Sequence, residues 1–381
     1  MASTNLRVLD ENGNGTDSMV IAAIEQAIAL KDTYNIRVIN LSLGRPVYES
    51  YTQDPLCQAV EQAWKASIVV VVAAGNDGPD NSFGTQGYGT ITAPGNDPYV
   101  ITVGAMKTEG TDARTDDLIA SYSSKGPTQI DHIVKPDIVA PGNHVVSLLA
   151  KQNARLVVGN PANNVSVSYY QDPKNHGVSN TYFMLSGTSM ETPVVSGGIA
   201  DLLQAKPSLT PDQVKALIMQ TAYKTFPTSS TATDPVSGLS YISDYDIFTV
   251  GAGYLNLQAA FQNISSSPAG LSALSPNALY DGTTGAVTLS PDSSSVWGMQ
   301  ARGAQTVWNM QSVWGARAVW GPQAVSSTRA VWSTGGDVTG TRAMWGTRAV
   351  WGTTAVASTQ SVSSTSNDAA EAAGIAIQGE P

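Results

Sequence analysis

A serine attacks a carbonyl once a neighbouring base takes its proton, and the run SGTSMETP at 186–193 offers one candidate nucleophile, Ser189. Gly187 allows a tight backbone approach. Thr188 and Ser189 fall at the start of a helical pattern, where exposed amides and the helix dipole favour an oxyanion, and Pro193 interrupts the early backbone ladder. Taken alone, a G-T-S run reads more readily as an ordinary helix cap. The chain's three histidines, His132 in QIDHIVKP, His144 after APGN and His176 in a polar stretch, read as turn or solvated residues rather than as a base. Cys57, the single cysteine, lies in the apolar-periodic stretch LCQAVEQAW and reads as a buried, inert thiol.

The elements that must position Ser189 alternate between helix and apolar strand. A helix is predicted from Asp17, as its cap, to about Thr33, followed by a strand at IRVINLSLG (36–44). Asp54 and Pro55 open a second helix that reaches Lys65, and IVVVVAAGN (68–76) is a buried strand ending in a glycine turn. YVITVGA (99–105) and HVVSLLA (144–150) are predicted as further strands, Lys151 to Asn180 as a surface insertion. Further helices are predicted from Thr188 through Gln204, and from a Thr210 cap with Pro211 to Thr221. This order predicts an α/β fold with three layers: a mainly parallel sheet with helices on both faces, joined by right-handed crossovers. Ligands of such sheets sit beyond the carboxyl ends of the strands, so the LSLG turn, the AAGN turn and the serine helix are expected on one edge.

Six ordered stretches then carry a resemblance. GTSMETP (187–193), VVVVAAGNDG (69–78), INLSLG (39–44), KPDIVAPGNHVVS (135–147), LTPDQVKALIMQTA (209–222) and GAGYLN (251–256) resemble, in order, motifs of the subtilisin-like serine proteases, over about residues 6 to 262. The resemblance implies an acyl-enzyme on Ser189, with the Asn76 side chain and the Ser189 amide as oxyanion donors. It implies that Ser42, Leu43 and Gly44 pair with an extended peptide and that Ala73, Ala74 and Gly75 wall the adjoining pocket. Glu191 stands where the family usually has alanine.

The family's aspartate and histidine motifs precede the region resembling LRVLDENGNG, which begins here at residue 6. The peptidase domain (1–262) is therefore expected to be N-terminally incomplete, either as part of a longer protein or as a truncated product, and to be very weak or inactive as this chain. The alternative is a non-catalytic peptide- or surface-binding protein. Calcium is common in the family, yet the loop DENGNGTD (10–17) imitates only half of a calcium loop, because its twelfth position is Ile21. No cofactor or metal site is assigned.

Beyond Asn263 the composition shifts to Ser, Thr, Ala and Gly, so 263–295 is expected as a flexible linker. Tryptophans at 297, 308, 314, 320, 332, 345 and 351 follow a six-residue unit with skipped members across 296–360, which suits short β or irregular repeats. These repeats either contact a surface, polymer or partner, or form a self-packing or loosely ordered extension. Residues 361–381 are expected to be disordered. A formal charge of −10 with no basic cluster excludes a nucleic-acid partner. No apolar run is long enough to span a membrane, and the first residues lack a signal peptide's pattern, although the resemblance implies secretion for a full-length member. A polypeptide substrate is the expected partner.

Overall fold

The computed structural model describes residues 3–10, 12–81, 85–233, 238–266, 270–281, 286–290, 295–296 and 379–380. A five-stranded sheet lies at the centre. Strands β1 (Val38–Leu41), β2 (Val69–Ala73), β3 (Ile101–Lys107) and β5 (Ile138–Pro141) run parallel, with Val38 opposite Val69, Val71 opposite Ile101 and Val103 opposite Ile138. Short β4 (Leu118–Ile119) pairs antiparallel with the end of β3. All of β2 is buried, and β3 is buried as far as Met106. Strands covered on both faces need apolar side chains at successive positions, and the VVVVA run supplies them. The α/β, mainly parallel architecture expected above is the one observed.

Helix α1 (Asp17–Ala29), continued by the single turn α2 (Lys31–Tyr34), packs against α3 (Pro55–Lys65), which lies on β2. The cap of α1 is Thr16 rather than the expected Asp17. Thr16 is still extended, so its hydroxyl can accept from the Met19 amide, whereas Asp17 is already helical. Asp54 caps α3 as expected, accepting from the Leu56 amide at 2.9 Å. Helix α5 (Thr188–Ala205) packs across β1, β2, β3 and β5, and α6 (Pro211–Thr221) starts in a complete capping box between Thr210 and Gln213. Helix α7 (Leu257–Gln262) closes against α6. Cys57 is buried, and burial, with Asp97 and Asp54 nearby, pushes its thiol far up.

HVVSLLA forms a strand as expected, but outside the central sheet: β6 (Val145–Leu148) pairs antiparallel with β8 (Val178–Leu185), which also pairs with β7 (Asn164–Ser166). Val146 and Leu148 stay exposed in that small sheet, and helix α4 (Arg155–Gly159) falls between β6 and β7 in the chain. Two expectations need correction. The serine-rich stretch after Asn263 is not a free linker, since β11 (Asn277–Asp281) and β12 (Ala286–Ser290) form a hairpin there. Ala273, Ala278, Val287 and Val296 belong to the main hydrophobic core. A second hairpin, β9 (Ser229–Thr233) with β10 (Ser240–Asp244), precedes it. Finally, within the stretch expected to be disordered, Gly379 and Glu380 lie against the domain. The tryptophan repeats fall outside the described residues, except Val296.

A buried ion cluster ties this later segment to the sheet. Lys135 donates to Asp137 at 2.7 Å, Lys215 lies 3.3 Å from the other oxygen of Asp137, and Lys215 also donates to Ser275 at 2.8 Å. Burial alone would push the Asp137 carboxyl upward, but the two ammonium groups outweigh it and hold the group below its ordinary value.

Candidate active site

Ser189 stands in the first turn of α5, half-buried, at the carboxyl edge of the sheet as expected. Neither Thr188 nor Ser189 is a helix cap. That position belongs to Gly187, whose φ of +136° suits glycine and which makes no side-chain capping bond. Its own amide donates to Gly142 at 3.0 Å, so the β5 end and the serine turn are joined directly.

Both polar groups of Thr188 engage Asn76. The Thr188 amide and hydroxyl each donate to Asn76 Oδ1 at 2.9 Å, and the Gly75 amide donates to the Thr188 hydroxyl at 3.1 Å. With Oδ1 fixed on Thr188, Nδ2 of Asn76 donates to no group among the described residues. Thr188 was missed by sequence reasoning, although its adjacency to Ser189 was the available signal.

Pro193 has a consequence that residue type alone predicts. A helix interior takes the carbonyl of residue 189 with the amide of residue 193, and proline has none. The Ser189 carbonyl instead accepts from Ser42 Oγ at 2.8 Å, while Ser189 Oγ donates to the Ser42 carbonyl at 3.3 Å. Asn40 Nδ2 donates to Ser42 Oγ at 2.9 Å and secures that side chain.

Ser42, Leu43 and Gly44 follow β1, whose strand has a partner only in β2 among the described residues. The backbone N–H and C=O groups of Leu43 and Gly44 make no hydrogen bonds among the described residues. Arg45 anchors the end of this segment: its backbone bridges Ala93, and its buried guanidinium takes both oxygens of Asp54 at 2.7 and 2.8 Å and Asp17 at 2.8 Å. Ala73 and Ala74 are buried at the end of β2 with Gly75 beyond them. The three glycine-bearing segments thus converge, through Asn76, Thr188 and Ser42, on Ser189.

Glu191 lies fully buried one turn into α5 with neither carboxyl oxygen hydrogen-bonded among the described residues. Burial pushes its carboxyl well above the ordinary range, so it is neutral. Of the histidines, His144 is joined to the serine turn through its backbone amide, which donates to the Ser186 hydroxyl at 2.9 Å. His176 is exposed before β8, and His132 sits on a turn beside β11. The Asp10 loop does not fit calcium: Asp10 Oδ1 accepts the amides of Asn12 and Asn14 at 2.8 and 2.9 Å, and Asn12 Oδ1 is taken by Arg155. No group of three or more candidate metal ligands occurs among the described residues, and no helix there is long and apolar enough to cross a membrane.

A family model described as the subtilase family matches residues 3–254. "Serine protease AprX" of Bacillus subtilis (strain 168) is 40% identical over 218 residues, covering 56% of this chain and 44% of that protein. "Subtilisin DY" of Bacillus licheniformis is 32% identical over 258 residues, covering 68% of this chain and 67% of that protein. Among solved structures, "Sphericase" is similar at 25% identity and a TM-score of 0.44, covering 65% of this chain and 66% of that one. The chain therefore spans less than half the length of AprX and about two thirds of the shorter subtilisin.

Proposed function

The chain belongs to the subtilase family, and on that premise we propose that it is a serine endopeptidase domain acting on extended polypeptides. Ser189 Oγ attacks the scissile carbonyl carbon, the amine product leaves with a proton, and water then hydrolyses the acyl ester on Ser189. Asn76 Nδ2 and the Ser189 amide donate to the oxyanion of both tetrahedral intermediates. The observation that carries this reading is the clamp of Thr188 on Asn76 Oδ1, which holds Asn76 against the turn that carries Ser189, with its amide nitrogen near Gly187. Preset donors are effective because they need no reorganisation when charge develops.

Substrate binding is supported by the backbone of Leu43 and Gly44, which makes no hydrogen bonds among the described residues and suits an added strand, with Ser42 at its base. Ala73, Ala74 and Gly75, small and placed at the end of β2, leave room for the side chain before the scissile bond. Ser189 still needs a base, and the 381 residues contain no H-G-T-H run. Hydrolysis by this chain alone is therefore of the residual kind that binding and an oxyanion hole support. Secretion of the full-length protein and contact of the tryptophan repeats with a surface or polymer belong to the same proposal.

The Ser189 hydroxyl donates to the Ser42 carbonyl, and this observation favours a second reading, a non-catalytic peptide-binding protein that keeps the cleft. Casein hydrolysis separates the two. A version carrying the family's D-T/S-G and H-G-T-H motifs ahead of residue 6 cleaves casein if the protease reading holds. Failure of that folded version to cleave would leave the binding reading.

A further inference from the structure

Gly379 and Glu380 lie far along the chain from the domain's core elements, yet Glu380 is only 5% exposed. Its carboxylate Oε1 accepts from the Ser121 amide at 2.6 Å and from the Ser121 hydroxyl. Its backbone is held at two points by one side chain, the Asn143 amide: Nδ2 donates to the Glu380 carbonyl at 3.0 Å, and the Glu380 amide donates to Oδ1 at 2.9 Å. Ser121 and Asn143 are themselves more than nine-tenths buried.

The residue before Glu380 is equally constrained. Gly379 has a φ of +82°, and a Cβ there would strike the His144 imidazole and the Ser186 hydroxyl. A glycine is required on both counts. The receiving groups are also fastened to one another, since the His144 amide donates to Ser186 and the Gly187 amide to Gly142. They form the loop pair that presents Ser189, three residues beyond Ser186.

We propose that this loop pair carries a built recognition site for a glycine–glutamate dipeptide, and that its occupant is the chain's own Gly379–Glu380, held as a strap against Ser186, three residues before Ser189. The chemistry is that of peptide capture. A carboxamide reads the backbone, an N–H and a hydroxyl read the carboxylate, and an imidazole and a hydroxyl exclude any side chain at the preceding position. Because the backbone is clamped at Asn143 and the carboxylate at Ser121, the distance between them selects glutamate, and aspartate is one methylene short. Tethering makes the capture intramolecular, so modest contacts suffice to keep the site filled. This goes beyond the peptidase reading and does not depend on Ser189 being active.

The test uses the full chain and a labelled AIQGEP peptide, the sequence of residues 376–381. In the doubly substituted G379A/E380A chain the site is vacated, and the peptide binds; the parent chain binds it at least tenfold more weakly. Adding Asn143→Ala to the vacated chain removes binding, and AIQAEP and AIQGDP bind at least tenfold more weakly than AIQGEP. Equal binding to parent and vacated chains, indifference to these peptide changes, or no binding to a folded vacated chain overturns the proposal. Carbodiimide labelling of the unmodified parent gives a second, variant-free readout. Glu380 is modified at least tenfold more slowly than in free AIQGEP, and equal rates contradict the proposal.

Discussion

Ser42 and Ser189 each donate a hydroxyl to the other's backbone carbonyl, at 2.8 Å from Ser42 Oγ and 3.3 Å from Ser189 Oγ. The pairing exists because Pro193 cannot claim the Ser189 carbonyl, and it locks the substrate-side segment to the first turn of α5. Ser42→Ala removes the shorter bond and leaves the carbonyl without its partner. We expect a loss of about 1 kcal/mol in unfolding free energy, measured by urea titration, and slower serine-directed labelling of an activated form. Unchanged labelling would mean that the lock does not position Ser189.

Asn76→Ala removes the proposed oxyanion donor. In a form bearing the family's base motifs, kcat should fall by about a hundred- to a thousandfold with little change in KM, a magnitude known from removing such a donor in a subtilisin. Thr188→Val keeps Asn76 but removes one of its two clamps, so it should lower kcat by less. Steady-state kinetics on a peptide substrate checks both.

Asp137 neutralises two buried ammonium groups. Asp137→Asn leaves Lys135 and Lys215 buried with only neutral partners, and should cost about 3–5 kcal/mol, because removing one member of a buried ion cluster strands the other charges. Equilibrium denaturation reads this directly.

Glu191 is fully buried, without a partner for either oxygen among the described residues, and burial holds it neutral. Its folded-state pKa lies above the unfolded value of 4.5, so the folded form binds the extra proton. Stability associated with it is full below the unfolded pKa and is lost as pH rises toward the folded one. Glu191→Gln, of equal size, should match the parent at acid pH and exceed it at pH 8, flattening that slope. A parallel pair of stability–pH profiles would refute the assignment. Asp97 works in the same direction: burial first, then Glu61, raises its carboxyl to about 7, so its contribution is lost between about pH 4 and 7.

The central layers were legible because their signals are local and redundant. The VVVVA run, the Asp54 and Thr210 caps and the glycine turns each dictate one conformation, and the turns holding Asn76 and Ser189 meet through Thr188, the residue before Ser189. Other features depend on partners distant in sequence. HVVSLLA has a strand's composition, but its pairing with β8 is settled by residues over thirty positions later. The serine-rich hairpin after Asn263 looked like linker because few apolar residues mark it; Ala273, Ala278 and Val287 suffice once Ser275 meets Asp137 and Lys215. Nothing near Gly379 and Glu380 announces a binding site, since Ser121 and Asn143, more than two hundred residues earlier, supply it.

The most direct test of the account is the site of covalent capture by a fluorophosphonate. With the family's Asp and His motifs placed ahead of residue 6, peptide mapping should find a single adduct on Ser189, abolished by Ser189→Ala and slowed by Asn76→Ala. An adduct elsewhere, an adduct that survives Ser189→Ala, or no adduct on a folded chain would contradict it.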